Sequence, residues 1–198
     1  MSRNRILYNL GFSAVALALF VWSGPSISAQ ETADQKVEEI RKIYAETSAK
    51  IEKVEKGSEE ERLSGIAVNE LVINKTGKSW PAVGTYKVVY RFYYDSAGED
   101  PYPSRLLKIT VNTQSAARKY FEEFVYDHSG KLMFYLERTE ADEMPEERRI
   151  YFEDGVAAFR IIDDGKARDK FSEEDEIIIN DVFATESTLS GIFEATLN

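Results

Sequence analysis

The sequence predicts an α+β fold: an antiparallel β-meander sheet of about six to seven strands, flanked by an N-terminal and a C-terminal helix. Three observations carry this prediction. Apolar residues alternate with polar ones through most of residues 86–162, turn sequences such as Asp-Gly separate the alternating runs, and a helical apolar stripe lies on either side. The gaps between the runs are too short for helical crossovers, so neighbouring strands must be antiparallel.

The first helix is predicted over residues 31–56. Its apolar residues recur at three-, four- and seven-residue spacing, which places them on one stripe: Val37, Ile40, Tyr44, Ile51 and Val54. Gly57 is a natural C-terminal stop. Because the stripe is narrow, we expect this helix to pack on the sheet as an outer layer. A partly detached helix, or one that pairs with a partner helix, is the alternative.

The strands of the meander follow after a charged linker and a loop that contains Trp80. Six runs show strand periodicity, and a seventh precedes them: 86–94, 106–111, 118–126, 131–138, 148–152 and 156–162, with 66–73 as the seventh. The strand ends show a weak echo, Tyr94-Asp95 to Gly98 and Tyr126-Asp127 to Gly130. We interpret the echo as ordinary hairpin turn sequence, since two copies do not make a repeat array.

The closing helix is predicted over residues 172–197. Ser172 is a suitable N-cap, and the acidic residues after it suit the positive end of the helix dipole. The predicted buried stripe consists of Ile178, Val182, Leu189, Ile192 and Phe193, with Ile179 and Phe183 beside it.

The first 29 residues have the pattern of a secretory signal peptide. Arg3 and Arg5 form a basic start, residues 12–22 are apolar, and small residues precede a predicted cleavage after Ala29. An uncleaved N-terminal anchor is the alternative. Cleavage leaves one mature domain, 30–198, made of the N-terminal helix (30–57) and the sheet with its C-terminal helix (58–198). We therefore predict a periplasmic or extracellular protein with no membrane span after signal cleavage.

Charge and cysteine usage narrow the function classes. Loss of Arg3 and Arg5 takes the formal net charge from −10 to −12, which argues against nucleic acid as a partner. The chain has no cysteine, so no disulfide framework supports the fold. The core of about 170 mature residues must therefore hold the domain alone.

The residues that usually carry catalysis are sparse. The single histidine, His128, falls in a predicted turn, where a general base has neither an oriented partner nor a shielded pocket. The common zinc sites cannot be assembled from one histidine and no cysteine. Acidic clusters are frequent, but they lie in predicted turns and at a helix start, for example at Asp142, Glu143, Asp163 and Asp164. We predict no cofactor and no metal.

The segment Glu39-Ile-Arg-Lys-Ile-Tyr-Ala-Glu46 follows the signal peptide and precedes the aromatic-rich meander. This arrangement resembles uncharacterised secreted or periplasmic α+β proteins of Bacteroidetes-type bacteria. The resemblance covers most of the mature chain in layout but only this segment in sequence. It implies an exported α+β domain of unknown function and assigns no functional residue.

Two functional hypotheses follow. The first is an exported, non-enzymatic envelope or secreted binding module that presents Trp80, Tyr93 and Tyr102 to an envelope protein or a glycan. The second is a carboxylate-based hydrolase or lyase acting on an extracytoplasmic substrate. It requires two acidic side chains that converge in a pocket, at least one with a raised pKa. A structural envelope protein without a small ligand is a third reading.

Overall fold

A computed structural model describes residues 29–57, 65–81, 84–95, 105–116, 118–140 and 146–197. Within these ranges two helices flank a nine-stranded antiparallel sheet. The elements in chain order are α1 (Ala29–Lys56), β1 (Ile66–Ile73), β2 (Ser79–Trp80), β3 (Gly84–Asp95), β4 (Arg105–Ser115), β5 (Arg118–Tyr126), β6 (Leu132–Glu140), β7 (Glu146–Glu153), β8 (Ala157–Asp163), β9 (Lys166–Arg168) and α2 (Glu173–Leu197). The predicted signal sequence, apart from Ala29, lies outside the described residues.

The sheet is a meander, as the sequence predicts. The strands lie in the order β1-β3-β4-β5-β6-β7-β8-β9, and the short β2 pairs with the start of β3. The predicted count of six to seven strands is too low. The two extra strands, Ser79–Trp80 and Lys166–Arg168, contain two and three residues. Such short strands complete no alternating pattern, so sequence periodicity cannot reveal them.

The Asp-Gly turns have the backbone conformation that their sequence predicts. Asp154 and Gly155 have φ angles of 54° and 70°, and Asp164 and Gly165 have φ angles of 46° and 81°. Positive φ at both central residues is the type I′ turn, whose twist matches that of the flanking strands. At Gly155 a Cβ atom would also lie only 2.9 Å from Cβ of Lys131, so a larger residue would be strained there.

Three β-bulges recur at corresponding positions of every second hairpin, β3–β4, β5–β6 and β7–β8. The register shifts between Tyr93 and Tyr94, between Val125 and Tyr126, and between Tyr151 and Phe152. The opposite strands each carry one residue without a direct partner there: Leu107, Met133 and Phe159, spaced at equal intervals along the chain. The described part of the first copy of the echo, Tyr94-Asp95, and the start of the second, Tyr126-Asp127, lie at the ends of hairpins that carry these bulges.

α2 packs on one face of the sheet through a continuous apolar core. Its buried apolar residues are Ile179, Val182, Leu189 and Phe193. The Phe193 ring contacts the rings of Phe92 and Tyr94, with centroids 5.9 and 5.2 Å apart. At its start the Asp175 amide donates to Ser172 Oγ at 3.2 Å, which confirms Ser172 as the N-cap.

α1 lies on the opposite face, so the predicted outer layer is confirmed. Val37 and Ile40 pack with Phe134 and Tyr151 in a second, smaller apolar cluster. α1 also makes polar contacts with the sheet, among them Asp34 with Arg160 and Glu55 with Tyr93. No helix in the described part of the chain combines the length and the apolar character that a membrane span needs.

Candidate functional site

α1 covers only part of the sheet face on which it lies. It crosses the strands, since Asp34 binds Arg160 of β8 near one end and Glu55 accepts a hydrogen bond from Tyr93 of β3 near the other. Alternate residues of a strand share a face, so the strand register shows which side chains lie on the part of this face that α1 does not cover. We call this uncovered area the shelf; its side chains are Lys87, Val89, Asn112, Gln114, Lys119, Phe121, Arg138, Glu147 and Arg149.

A cavity of about 270 Å³ lies where the shelf meets α1. Its floor consists of Ile40 from α1 and of Phe134 and Leu136 from β6. The rings of Tyr44 and Tyr151 stand against the Phe134 ring at centroid distances of 5.3 and 5.1 Å. The bottom of the cavity is therefore apolar and largely aromatic.

Three arginines form the rim of this cavity, which we call the arginine cavity. Arg138 Nη2 and Arg149 Nη2 lie 2.6 and 2.5 Å from the two carboxylate oxygens of Glu147, and Arg41 Nη1 lies 2.6 Å from Glu38 Oε1. Three guanidinium groups thus face two carboxylates, which leaves one positive charge in surplus. The three arginine side chains are roughly half exposed, so their remaining donors can reach a ligand.

The charges at the rim are stable across the physiological pH range. Burial opposes the ionisation of Glu147, but hydrogen bonds and charges from Arg138 and Arg149 outweigh it and hold the pKa of this carboxyl below its usual value. The hydrogen bond that Arg138 donates to Glu147 in turn raises the pKa of Arg138. Burial, followed by the charge of Glu123, raises the pKa of Tyr44 well above its usual value. The cavity therefore offers fixed donors rather than a group that exchanges a proton near neutral pH.

A second cavity of about 230 Å³ lies on the shelf beside the first. Asn112 and Gln114 project from the same side of β4, and Val89 and Phe121 supply apolar surface next to them. Among the residues that the structure describes, neither carboxamide has a hydrogen-bond partner. We call this the amide cavity. It offers two groups that each both donate and accept hydrogen bonds.

A buried ion pair between β4 and β5 lies beneath α1, which it binds through hydrogen bonds. Lys108 Nζ lies 2.6 Å from Glu123 Oε1, and both side chains are only 7% exposed. The Tyr44 hydroxyl donates to Glu123 Oε2 at 2.7 Å, and Lys108 also donates to Ser48 Oγ at 3.1 Å. Every charged group of this cluster has a partner, so we interpret it as a structural contact.

A pair of carboxylates lies on the other face of the sheet, beside α2. Glu122 and Glu137 are directly opposite each other on β5 and β6. Burial raises the pKa of Glu122, and the charge of Glu137 adds to the effect, although a 2.9 Å hydrogen bond from the Tyr135 hydroxyl opposes it. This pair supplies the raised pKa that a carboxylate-based enzyme requires, and neither residue was singled out by the sequence.

The aromatic residues that the sequence suggested for binding do not form one surface. Trp80 is 44% exposed and packs against Tyr86, which belongs to the α2 side of the sheet. Tyr93 is 3% exposed beneath α1, and its hydroxyl donates to Glu55. Tyr102 lies outside the described residues. The structure thus places Trp80 and Tyr93 on opposite faces.

His128 is exposed in a turn, as predicted, and it also lines a cavity of about 340 Å³ at that end of the sheet. The backbone carbonyl of His128 accepts a hydrogen bond from Arg105, and Lys50 of α1 lines the same cavity. Asp95 and Arg105 line this cavity, and residues 96–104, which connect them in the chain, lie outside the described residues. We therefore place no site there. Within the described ranges, no group of three or more metal-ligating side chains comes together.

The residues of the two shelf cavities were missed by sequence reasoning. Arg138 and Arg149 share a strand face with apolar neighbours, Leu136 and Tyr151, and a charged residue in such a position was the available signal. The signal is ambiguous without the strand register, because Arg148 also lies close to apolar residues in the sequence although its side chain is on the opposite face.

A scan against protein-family models finds no match for this chain. Searches of curated proteins and of solved structures find no match either.

Proposed function

We propose that the protein is an exported, non-enzymatic binding module that holds a small organic anion in the arginine cavity. One observation carries the proposal: three guanidinium groups surround an apolar floor and exceed the neighbouring carboxylates by one charge, in a chain whose net charge is −10. Export rests on the pattern of residues 1–29.

The chemistry of the cavity fits an anion with an apolar body. Arginine presents a rigid fork of donors that matches carboxylate geometry, and it remains charged at any physiological pH. The floor of Ile40, Phe134 and Leu136 offers apolar surface that a fully hydrated inorganic ion does not need. At about 270 Å³ the cavity is slightly smaller than the range of about 300–1,000 Å³ that is typical of ligand sites, which favours a small ligand.

The lining of the cavity supports a binding role. It consists of isoleucine, leucine, phenylalanine, tyrosine and arginine side chains. None of these has an ordinary pKa near neutrality, so none is suited to act as a general base there. Exclusion of water by the floor would strengthen the contacts between the guanidinium groups and the anion.

Calorimetric titration with two matched ligands tests the proposal. We expect cyclohexanecarboxylate to bind and cyclohexanecarboxamide, which has the same shape but no charge, to bind at least tenfold more weakly. Arg41→Gln and Arg149→Gln should each weaken carboxylate binding about tenfold, since a hydrogen bond to a charged group contributes about 1.5–3 kcal/mol. Arg91→Gln is the control, because Arg91 pairs with Glu70 outside the cavity. Equal binding of the two ligands would refute the proposal.

A carboxylate-based hydrolase or lyase is the second candidate, and the Glu122–Glu137 pair favours it. Directly opposite residues of antiparallel strands have Cβ atoms about 4.5–5.5 Å apart, so the two glutamate side chains can reach the carboxyl separation of about 5–5.5 Å that retaining glycosidases use. The raised pKa of Glu122 suits a general acid. Hydrolysis of nitrophenyl glycosides that is abolished by Glu137→Gln would support this candidate. If no glycoside of such a panel is hydrolysed, the hydrolase candidate is rejected and the binding module is the remaining proposal.

A further inference from the structure

The two shelf cavities adjoin each other across the sheet. Asn112 pairs with Phe121, and Phe121 pairs with Arg138, so one row of side chains runs from the amide cavity into the arginine cavity. Asn112 and Arg138 are separated by two interstrand spacings, or about 10 Å. A single small ligand that lies along this row can touch both ends.

The amide cavity has the chemistry of a hydroxyl-binding site. A carboxamide donates through its nitrogen and accepts through its oxygen, so it can pair with neighbouring hydroxyl groups of a ligand. Asn112 and Gln114 lie two residues apart on the same side of β4 and place two such groups side by side. Val89 and Phe121 supply an apolar surface for the C–H groups of the same ligand.

The charges beside this row favour an acidic ligand over a neutral one. Lys87 and Lys119 line the amide cavity together with one carboxylate, that of Glu140. Glu140 lies 3.6 Å from Lys119 Nζ, which leaves Lys87 as a further positive charge. The positive surplus of the arginine cavity therefore continues along the shelf.

We propose that the anion is a sugar acid, with its carboxylate at Arg138 and Arg149 and its hydroxyl groups at Asn112 and Gln114. This inference rests on the proposed function, because it assigns the substrate class of the arginine cavity. A free sugar acid and the acidic end of a glycan share this chemistry.

Binding of glucuronate and cyclohexanecarboxylate to the purified protein tests the assignment. Both have a six-membered ring and one carboxylate, but only glucuronate has ring hydroxyls. We expect glucuronate to bind at least tenfold more tightly and the two to compete. The double variant Asn112→Ala/Gln114→Ala should bring glucuronate to the affinity of cyclohexanecarboxylate without changing the latter. Asn180→Ala, an exposed amide on α2, is the control.

The outcomes separate the two proposals. If both carboxylates bind with equal affinity, or if the double variant leaves glucuronate unchanged, the sugar-acid assignment is overturned and the anion-binding function stands. If neither carboxylate binds, the proposed function fails and the assignment fails with it. Binding of uronate di- and trisaccharides at least as tightly as the monomer identifies a glycan end as the source, whereas binding of the monomer alone identifies the free acid; both results support the assignment.

Discussion

The two helices of this protein are attached to the sheet by different kinds of contact. α2 completes an apolar core that extends from β1 to β8, with side chains such as Phe92, Ile109 and Ile150 that are entirely buried. α1 packs against a smaller apolar cluster and adds polar contacts, such as the hydrogen bonds of Tyr44 and Ser48 with the buried Lys108–Glu123 pair of the sheet. An apolar layer stabilises the fold in proportion to the surface that it covers. Hydrogen bonds and ion pairs, in contrast, need only individual partner groups and not continuous coverage. The difference explains why the uncovered shelf lies beside α1.

The polar contacts of α1 also affect how stably this helix is held on the sheet. Arg160 is only 4% exposed and is held by Asp34 of α1 and by Asp169 after β9, the latter at 2.6 Å. A buried ion pair offsets its own desolvation only when its geometry is good, and it seldom adds much net stability. We therefore expect α1 to be the less stable of the two layers, with α2 and the sheet as the unit that unfolds last.

The largest expected effect separates the two layers directly. Phe193→Ala removes a buried ring of the α2 layer and should lower the free energy of unfolding by about 4 kcal/mol. Ile40→Ala, in the α1 layer, should cost roughly 2 kcal/mol and increase hydrogen exchange in α1 alone. Urea denaturation and exchange mass spectrometry measure both. A global effect of Ile40→Ala as large as that of Phe193→Ala would contradict the distinction between the layers.

The buried ion pair provides the next test. Lys108→Met leaves the Glu123 carboxylate buried without its cation and should cost roughly 3 kcal/mol. The double variant Lys108→Met/Glu123→Leu removes both charges and should recover most of that loss in urea denaturation. If the double variant is as unstable as the single one, the pair contributes net stability of its own, and this expectation is wrong.

The start of α2 predicts a pH-dependent effect of about 1.5–3 kcal/mol, the contribution of a hydrogen bond to a charged group. The hydrogen bond from Arg168, aided by those from Ser172, holds the pKa of Asp175 far below its usual value. A depressed carboxyl pKa stabilises the folded state above the unfolded pKa of about 3.9, and this stabilisation is lost as the pH falls. Asp175→Asn should therefore be less stable than the wild type at pH 7, and the difference should narrow below about pH 4. If the stability difference between the variant and the wild type does not change with pH, the ionised Asp175 carboxylate is not its cause.

The smallest effect is expected at Trp80. Its ring centroid lies 5.7 Å from that of Tyr86, but the side chain remains substantially exposed. Trp80→Ala should therefore lower the free energy of unfolding by no more than about 1 kcal/mol. Because Trp80 packs on the α2 side, the same variant should leave carboxylate binding on the shelf unchanged. Loss of binding on titration of Trp80→Ala would place the ligand on that side instead.

The parts of the fold that the sequence predicts are those with a local signal. The meander follows from alternating apolar residues and from turns such as Asp154-Gly155, in which the backbone conformation is set by the residue types themselves. The cap at Ser172 is equally local. Both helices and the α+β class follow from the same signals.

The candidate site depends on contacts between residues far apart in the chain. Arg41 and Arg149 share a rim only because α1 crosses β6 and β7, and no local pattern specifies that crossing. The Glu122–Glu137 pair likewise depends on the register of two strands. Sequence reasoning therefore selected conspicuous aromatic residues, whereas the structure brings together arginines and amides that are individually unremarkable in sequence.

The bulges at Leu107, Met133 and Phe159 determine where the chain tolerates length change. Deletion of one residue elsewhere in a strand would exchange its two faces and move core side chains into solvent. At these three positions the residues on either side already point to opposite faces, as Leu106 and Lys108 do at the first bulge. Deletion there restores a regular ladder and removes one side chain. Natural variation in strand length, and engineered shortening of this domain, should therefore concentrate at these sites.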